Sequence, residues 1–192
     1  MYIAIEGIDT AGKSTQIKAL SKYFPNAIIT KEPGATEIGK EIREMVLSAR
    51  TKSKKTEFLL FLADRAEHIF KVIEPNINSE MLISDRSAVS GVAYALTQGD
   101  IDKEKLVSLN HFATNGVYPE KIFLLRLTKE ELEHRLSQKE LDEIELRGSE
   151  YLLAIQDAIV EATELLGIEL IEIDATLPRE EITRNILTNI NS

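Results

Sequence analysis

The chain has no cysteine among its 192 residues. That absence excludes a disulfide framework, a thiolate zinc site and a cysteine nucleophile, and it fits a reducing compartment. Long hydrophobic runs are missing too: the longest, Phe58 to Ala63, is six residues, against the roughly 20 that span a bilayer. The opening Met1-Tyr2-Ile3-Ala4-Ile5-Glu6 lacks the basic and long apolar regions of a secretory signal. The chain therefore reads as a soluble cytoplasmic protein. Positive charge is scarce, with 23 basic against 32 acidic side chains and a net charge of −9. This argues against broad binding to nucleic acid or anionic membranes, so an anionic ligand must meet a local cluster of positive groups. There is no internal repeat and no low-complexity tract. With 43% hydrophobic residues, close to the roughly 45–50% of globular chains, a single packed domain over 1–192 is expected.

What is present alternates between short β-branched runs and helical spacings. Tyr2–Ile5, Ala27–Thr30, Met81–Ser84, Lys121–Leu127 and Glu169–Ile173 read as strands. Between them, Ile17, Leu20 and Phe24 mark one helix, and Ile38, Ile42, Met45 and Val46 a second. Phe58, Leu62, Ile69 and Val72 mark a longer one that is expected to stop near Pro75. Thr128 with Glu131 predicts a capping box, Leu152 to Leu166 carries a clean helical stripe, and Pro178 suits the first turn of a last helix. Strands separated by helices imply right-handed crossovers and a parallel sheet covered on both faces, an α/β fold.

Gly7-Ile8-Asp9-Thr10-Ala11-Gly12-Lys13-Ser14 matches G-x-x-x-x-G-K-[ST], placed between a strand and a helix as a phosphate loop requires. The glycines let backbone N–H groups turn toward phosphate oxygens, and the helix N-terminus adds partial positive charge. Lys13 supplies an ammonium for the β- and γ-phosphates and Ser14 a hydroxyl for Mg²⁺. The N-K-x-D of GTPases is absent, as is any D-x-x-G outside the loop. A small phosphotransferase is the better candidate. Asp85-Arg86 follows a strand and so lies at the sheet's carboxyl edge, where open α/β folds bind ligands. An acidic residue there can hold Mg²⁺ or its water shell, and an adjacent Arg can fork onto phosphate oxygens. Asp64-Arg65 and Arg43 complete the cluster; taken singly each Arg reads as a surface ion-pair partner, but beside a phosphate loop they suggest a second phosphate site. His68, His111 and His134 have no metal-ligand spacing and read as structural or surface residues.

With these blocks together, the sequence resembles the thymidylate kinase family. The resemblance is carried by Glu6-Gly7-Ile8-Asp9 running into Ala11-Gly12-Lys13-Ser14-Thr15-Gln16, by Lys31-Glu32-Pro33-Gly34-Ala35-Thr36, by Phe61-Leu62-Ala63-Asp64-Arg65-Ala66-Glu67-His68, and by Asp85-Arg86 with Ser90 and Ala93-Tyr94. It implies transfer of the γ-phosphoryl group of ATP to thymidine 5′-monophosphate with Mg²⁺, in a three-layer P-loop kinase fold whose five-stranded parallel sheet has the order 2-3-1-4-5. It also implies a homodimer and a short lid, here about 137–149. On matching positions, residues 7–15 hold ATP and Asp9 faces the acceptor's 3′-hydroxyl or a nearby arginine. Phe61 stacks on thymine, Arg65 reaches the base edge or acceptor phosphate, and Arg43 and Arg86 grip that phosphate. Tyr94 sits below the sugar, Ser90 and Pro33 border the acceptor, and Glu32 borders the ribose and metal side. Other readings are a kinase for another nucleotide or nucleoside and a nucleotide-dependent binding module.

The sequence departs from the family's pattern at several places. Gly91 and Ala95 stand where a Ser, Thr or Asn and a Gln are common. Thr10 stands where some members carry a catalytic arginine, and Glu143 where others have a lid arginine. Arg135, Lys139 and Arg147 are the cations left. Arg135, near the end of the helix after Thr128 and about one turn before Lys139, is expected to serve as the catalytic lid cation, with Lys139 supporting it and Arg147 third.

Overall fold

A computed structural model describes residues 1–48, 51–141 and 145–190. The strands are β1 (Tyr2–Glu6), β2 (Ile28–Lys31), β3 (Leu82–Asp85), β4 (Lys121–Arg126) and β5 (Glu169–Asp174). They form one sheet in the order β2-β3-β1-β4-β5 with every pairing parallel; Ile3 is in register with both Ile83 and Lys121. All five residues of β1 are buried, so the central strand is covered on both faces. Ile3, Ile5, Ile83, Ile122, Phe123, Leu124 and Leu125 have no exposed surface and anchor the core. The α/β class and the strand order agree with expectation, and each strand lies within about a residue of its expected ends.

The helices are α1 (Lys13–Tyr23), α2 (Glu37–Leu47), α3 (Lys54–His68), α4 (Ala88–Gln98), α5 (Lys103–Thr114), α6 (Lys129–Leu136), α7 (Ser149–Leu166) and α8 (Arg179–Ile190). Helices α4 and α5 have no counterpart among the expected elements. Helix α4 buries Ala88, Val89, Ser90, Val92, Ala93 and Ala95, a face made mostly of alanine and serine, so few large apolar residues mark its inward side. The long helix ends at Asn76, one residue past Pro75, as expected. Helix α3 continues through a π-helical segment, Ile69–Ile73, into a last turn, Glu74–Asn76, where Asn76 Nδ2 donates to the Val72 carbonyl at 2.7 Å. The wide turn shifts the hydrogen-bond ladder ahead of the proline, whose missing N–H then interrupts only a helix end. Two other expectations need correction. Ile38 and Met45 lie on α2 as expected but are 50% and 38% exposed, so that stripe is only partly inward. The capping box is half formed: Thr128 Oγ1 accepts from the Glu131 N–H at 3.3 Å, but the Glu131 carboxylate goes to Arg135 Nε at 2.6 Å. Among the described residues no helix is long and apolar enough to cross a membrane.

Candidate active site

The loop after β1 is held open by its backbone. Gly7 has φ +145°, and a Cβ there would sit 2.9 Å from the Leu125 carbonyl oxygen, so no larger residue fits. Gly12, at φ +99°, is the N-cap of α1; no side chain caps that helix and no acidic residue occupies its first turn. Its orphan N–H groups are therefore available to an anion. Thr10 adopts φ +69°, an unfavourable conformation for a β-branched residue.

Lys13 is buried and donates from Nζ to the carbonyl oxygens of Gly7 and Ile8, at 3.0 and 3.1 Å, with Asp9 at 3.7 Å. Burial, joined by the neighbouring Arg86 cation, lowers its pKa to about 8; Asp9, Asp85 and Glu6 oppose the shift. Arg86 follows β3 in a left-handed conformation, φ +69°. Its Nη2 donates to Asp9 Oδ1 at 2.7 Å, and its Nη1 to the Gly7 carbonyl at 3.1 Å and Ser90 Oγ at 3.2 Å. Burial alone would raise the Asp9 pKa, but Arg86 and Lys13 outweigh it and hold the carboxyl below its ordinary value.

Behind this pair lies Glu6, absent from the expected site. It is fully buried, and its two oxygens accept from Ser87 Oγ at 2.8 Å and Ser90 Oγ at 2.5 Å. Burial raises its pKa against those bonds. Ser90 thus has its proton on Glu6 and a lone pair on Arg86, so it braces Arg86. The only sequence signal is a carboxylate on an otherwise apolar strand.

Asp9 and Arg86 form one wall of a cavity of about 650 Å³, whose other lining includes Phe61, Arg65, Tyr94 and Arg43. Glu32, Pro33, Ser90, Leu141, Leu146 and Arg147 also line it. Arg43 Nη1 donates to the Pro33 carbonyl at 3.2 Å. Glu32, expected on the ribose and metal side, lines the cavity and accepts from Arg65 Nε at 3.0 Å and His68 Nδ1 at 2.9 Å. Beside it, Asp64 accepts from the Gly34 N–H at 3.0 Å, and burial and the Glu32 charge lift its pKa to about 6. Ser14 and Asp85 meet elsewhere, lining a shallower cleft on the α1 side of the sheet. Thr15 is exposed on α1.

The expected lid cations separate. Arg135 lies outside the cavity lining: it donates from Nη1 to the Thr10 carbonyl at 3.0 Å, from Nη2 to the Ala175 carbonyl at 2.8 Å, and from Nε to Glu131. Those partners, two of them backbone carbonyls, draw it to the phosphate loop and the loop after β5. Lys139 pairs with the buried Glu145 at 2.7 Å. Arg147, expected to matter least, lines the cavity; its guanidinium lies 5.1 Å from the Tyr151 ring centre and Nη1 reaches the Tyr151 hydroxyl at 2.9 Å. Glu143, within the acidic stretch from Asp142 to Glu145, lies outside the described residues.

The model of one protein family, described as thymidylate kinase, matches residues 5–186. A thymidylate kinase of Sulfurimonas denitrificans is 70% identical over 191 residues, covering 100% of both chains. That of Aliarcobacter butzleri is 55% identical, covering 100% of this chain and 99% of its own. The crystal structure of thymidylate kinase from Ehrlichia chaffeensis, at 23% identity, superposes with a TM-score of 0.77 over 100% of this chain and 98% of that one, a likeness of fold.

Proposed function

The chain belongs to the thymidylate kinase family and phosphorylates thymidine 5′-monophosphate to the diphosphate; we propose that it does so with ATP held by residues 7–15 and the acceptor in the 650 Å³ cavity. The observation that carries this reading is Arg86, whose guanidinium touches the phosphate loop at Gly7 and Asp9 and also lines the cavity. A donor on the loop and an acceptor in the cavity would meet at that one cation.

The acceptor phosphate has a second pKa near about 6, so at neutral pH it is already a nucleophile and needs no side-chain base. One of its oxygens forms a bond to the γ-phosphorus, the bond from that phosphorus to the β-phosphate oxygen breaks, and ADP departs with the electron pair. Catalysis reduces to aligning two polyanions and neutralising the charge between them. Lys13 leaves the carbonyls of Gly7 and Ile8 for the donor phosphates. Arg86 and Arg43 hold the acceptor phosphate, Asp9 orients Arg86, Phe61 and Arg65 take the base, and Tyr94 closes under the sugar. The hydroxyl of Ser14 and the carboxylate of Asp85 are hard oxygen donors lining one cleft, a set suited to Mg²⁺. The ion supplies charge neutralisation at the transferring phosphates.

The single domain is read with the expected lid over about 137–149, of which 142–144 lie outside the described residues. Its cation is placed on Arg147, which lines the cavity, in preference to Arg135, which is bound to Thr10 and Ala175. A homodimer belongs to the same reading. Leu59, Ala63, Ala66 and Phe70 are all exposed along one face of α3 and its extension, Leu59 at 52% and Phe70 at 68%. Phe112, 82% exposed, comes from α5, which packs on α3. An apolar stripe of this kind suits a second copy of the chain. A cytoplasmic location follows from nucleotide substrates that do not cross a bilayer unaided.

The test is a coupled ADP-release assay across a panel of nucleoside monophosphates. Thymidine monophosphate is expected to give the largest kcat/KM. Preference for another acceptor would favour a kinase of a different nucleotide, and no release with any acceptor would favour a binding module.

A further inference from the structure

Arg65 is a cation only 3% exposed, and its position is set from two sides. On one side Nε donates to Glu32 Oε2 at 3.0 Å. On the other, Nη1 donates to Asn110 Oδ1 at 2.5 Å. Asn110 sits fully buried on α5, and its Nδ2 donates to the Leu106 carbonyl at 2.7 Å. Because Nδ2 must face that carbonyl, Oδ1 must face the guanidinium, so the amide can take only this orientation. Glu32 is fixed in turn by His68, whose Nδ1 meets Glu32 Oε1 at 2.9 Å and whose Nε2 meets Thr30 Oγ1 at 2.6 Å. Burial disfavours the Glu32 charge, but Arg65 and His68 outweigh it and hold the carboxyl below its ordinary value. An ionised carboxylate only accepts, so His68 Nδ1 is the donor to it.

Nη2, the remaining nitrogen, has no hydrogen-bond partner among the described residues. It faces Gly91, where a Cβ would come within 2.7 Å of it. Gly91 lies in the interior of α4 with no left-handed backbone to explain a glycine, and a glycine there weakens the helix by about 1 kcal/mol relative to alanine. The missing side chain gives Nη2 its room. Arg65 and Gly91 both line the cavity; Asn110 does not.

We propose that Asn110 is a positioning residue: acting with the His68-held Glu32, it aims Arg65 Nη2 past Gly91 into the acceptor pocket as a fixed donor, and so sets the preference for a base that presents an oxygen there over one that presents an amino group. The inference rests on the cavity being the acceptor site.

The test compares kcat and KM for thymidine and deoxycytidine monophosphates in Asn110→Ala, Asn110→Asp, Arg65→Ala and the Asn110→Ala/Arg65→Ala double variant. Asn110→Ala is expected to raise the KM for thymidine monophosphate about tenfold and to narrow the thymidine-to-deoxycytidine ratio of kcat/KM about as much, with the KM for ATP within about twofold of wild type. Asn110→Asp, which keeps an acceptor at Oδ1, should restore most of both. In the Arg65→Ala background the Asn110 change should move the ratio no further, as it acts through the guanidinium. If Asn110→Ala fails to fold, Asn110→Ser, too short to reach Nη1, decides on the same ratio. An unchanged ratio in a folded Asn110 variant, or additive effects in the double variant, overturns the inference while leaving the acceptor cavity standing. An Arg65→Ala enzyme with wild-type acceptor constants overturns the cavity reading itself.

Discussion

Arg135 and Thr10, 125 residues apart in the chain, meet where the Arg135 Nη1 donates to the Thr10 carbonyl oxygen at 3.0 Å. Among the described residues, Thr10 is one of three other than glycine with positive φ. The same guanidinium holds the Ala175 carbonyl and the Glu131 carboxylate. It therefore ties a strained turn of the phosphate loop to α6 and to the loop after β5.

That geometry separates the two arginines. Arg135→Ala should lower stability by about 1–3 kcal/mol and weaken ATP binding, because it frees the Thr10 and Ala175 carbonyls together. Lysine, with one compact ammonium, should not restore it. Arg147→Ala should leave the melting temperature within a degree or so and lower kcat by about 10²-fold or more, the scale of a cation contacting the transferring group. Thermal melts with steady-state kinetics distinguish them; a larger kcat loss at Arg135 than at Arg147 would return the catalytic role to Arg135.

Lys13 gives a pH signature. Its pKa is lowered to about 8, so the ammonium of the free protein is lost as pH rises through that value. The kcat/KM for ATP should fall above pH 8, while kcat should hold to higher pH because bound polyphosphate favours the charged form. The effect on stability has the opposite sense: between about 8 and the ordinary 10.5 the unfolded chain binds the extra proton, so this residue's contribution rises with pH there. Lys13→Ala should stay folded and lose roughly 10²–10³-fold or more in kcat. A folded variant with near-normal kcat would remove the phosphate loop from the mechanism.

Asp64 runs the other way. Its pKa is raised to about 6 from 3.8, so the folded state keeps a proton that the unfolded chain releases earlier. Its contribution is present below the unfolded value and lost as pH climbs to about 6. Asp64→Asn, which keeps the acceptor for the Gly34 N–H, should gain stability relative to wild type as pH rises across that window. Parallel melting curves for the two proteins from pH 4 to 7 would refute this.

The exposed stripe on α3 predicts a mass. Phe70→Lys should convert a dimer in sedimentation equilibrium to a monomer, since a charge cannot be buried there unpaired. A wild-type protein that is already monomeric at micromolar concentration, or a variant of unchanged mass, would move the partner surface elsewhere.

The legible features are local ones. The Gly7-to-Ser14 spacing and the unbroken β-branched runs carry their meaning within a few residues, and the sheet order comes with the family resemblance they support. Helix α4 is not legible because its buried face is carried mostly by alanine and serine, which give only a weak apolar signal. The spacing puts Arg135 on the right helix, but its partners at Thr10 and Ala175 are carbonyls, which leave no mark in a side-chain pattern. Asn110 and Glu6 act through contacts to residues 45 and 84 positions away; nothing near Asn110 announces it, and Glu6 shows only as a carboxylate on an apolar strand.

The π-helical segment at Ile69–Ile73 has a consequence for which length changes this chain can tolerate. An α-helix advances about 100° per residue, whereas the wide turn accommodates an additional residue without rotating the helix beyond it. It lets Arg65, Ile69 and Ile73, spaced four apart, all stay buried. Removing one residue between 69 and 73 would close that turn to an ordinary one and leave the helix beyond it facing as before, whereas removing one from the regular turns of α3 would swing everything beyond it by about 100°. In that second case Ile73 would leave its contacts around Tyr2 and Leu82. A deletion inside the wide turn is absorbed there, but one ahead of it would be felt at the first strand of the sheet.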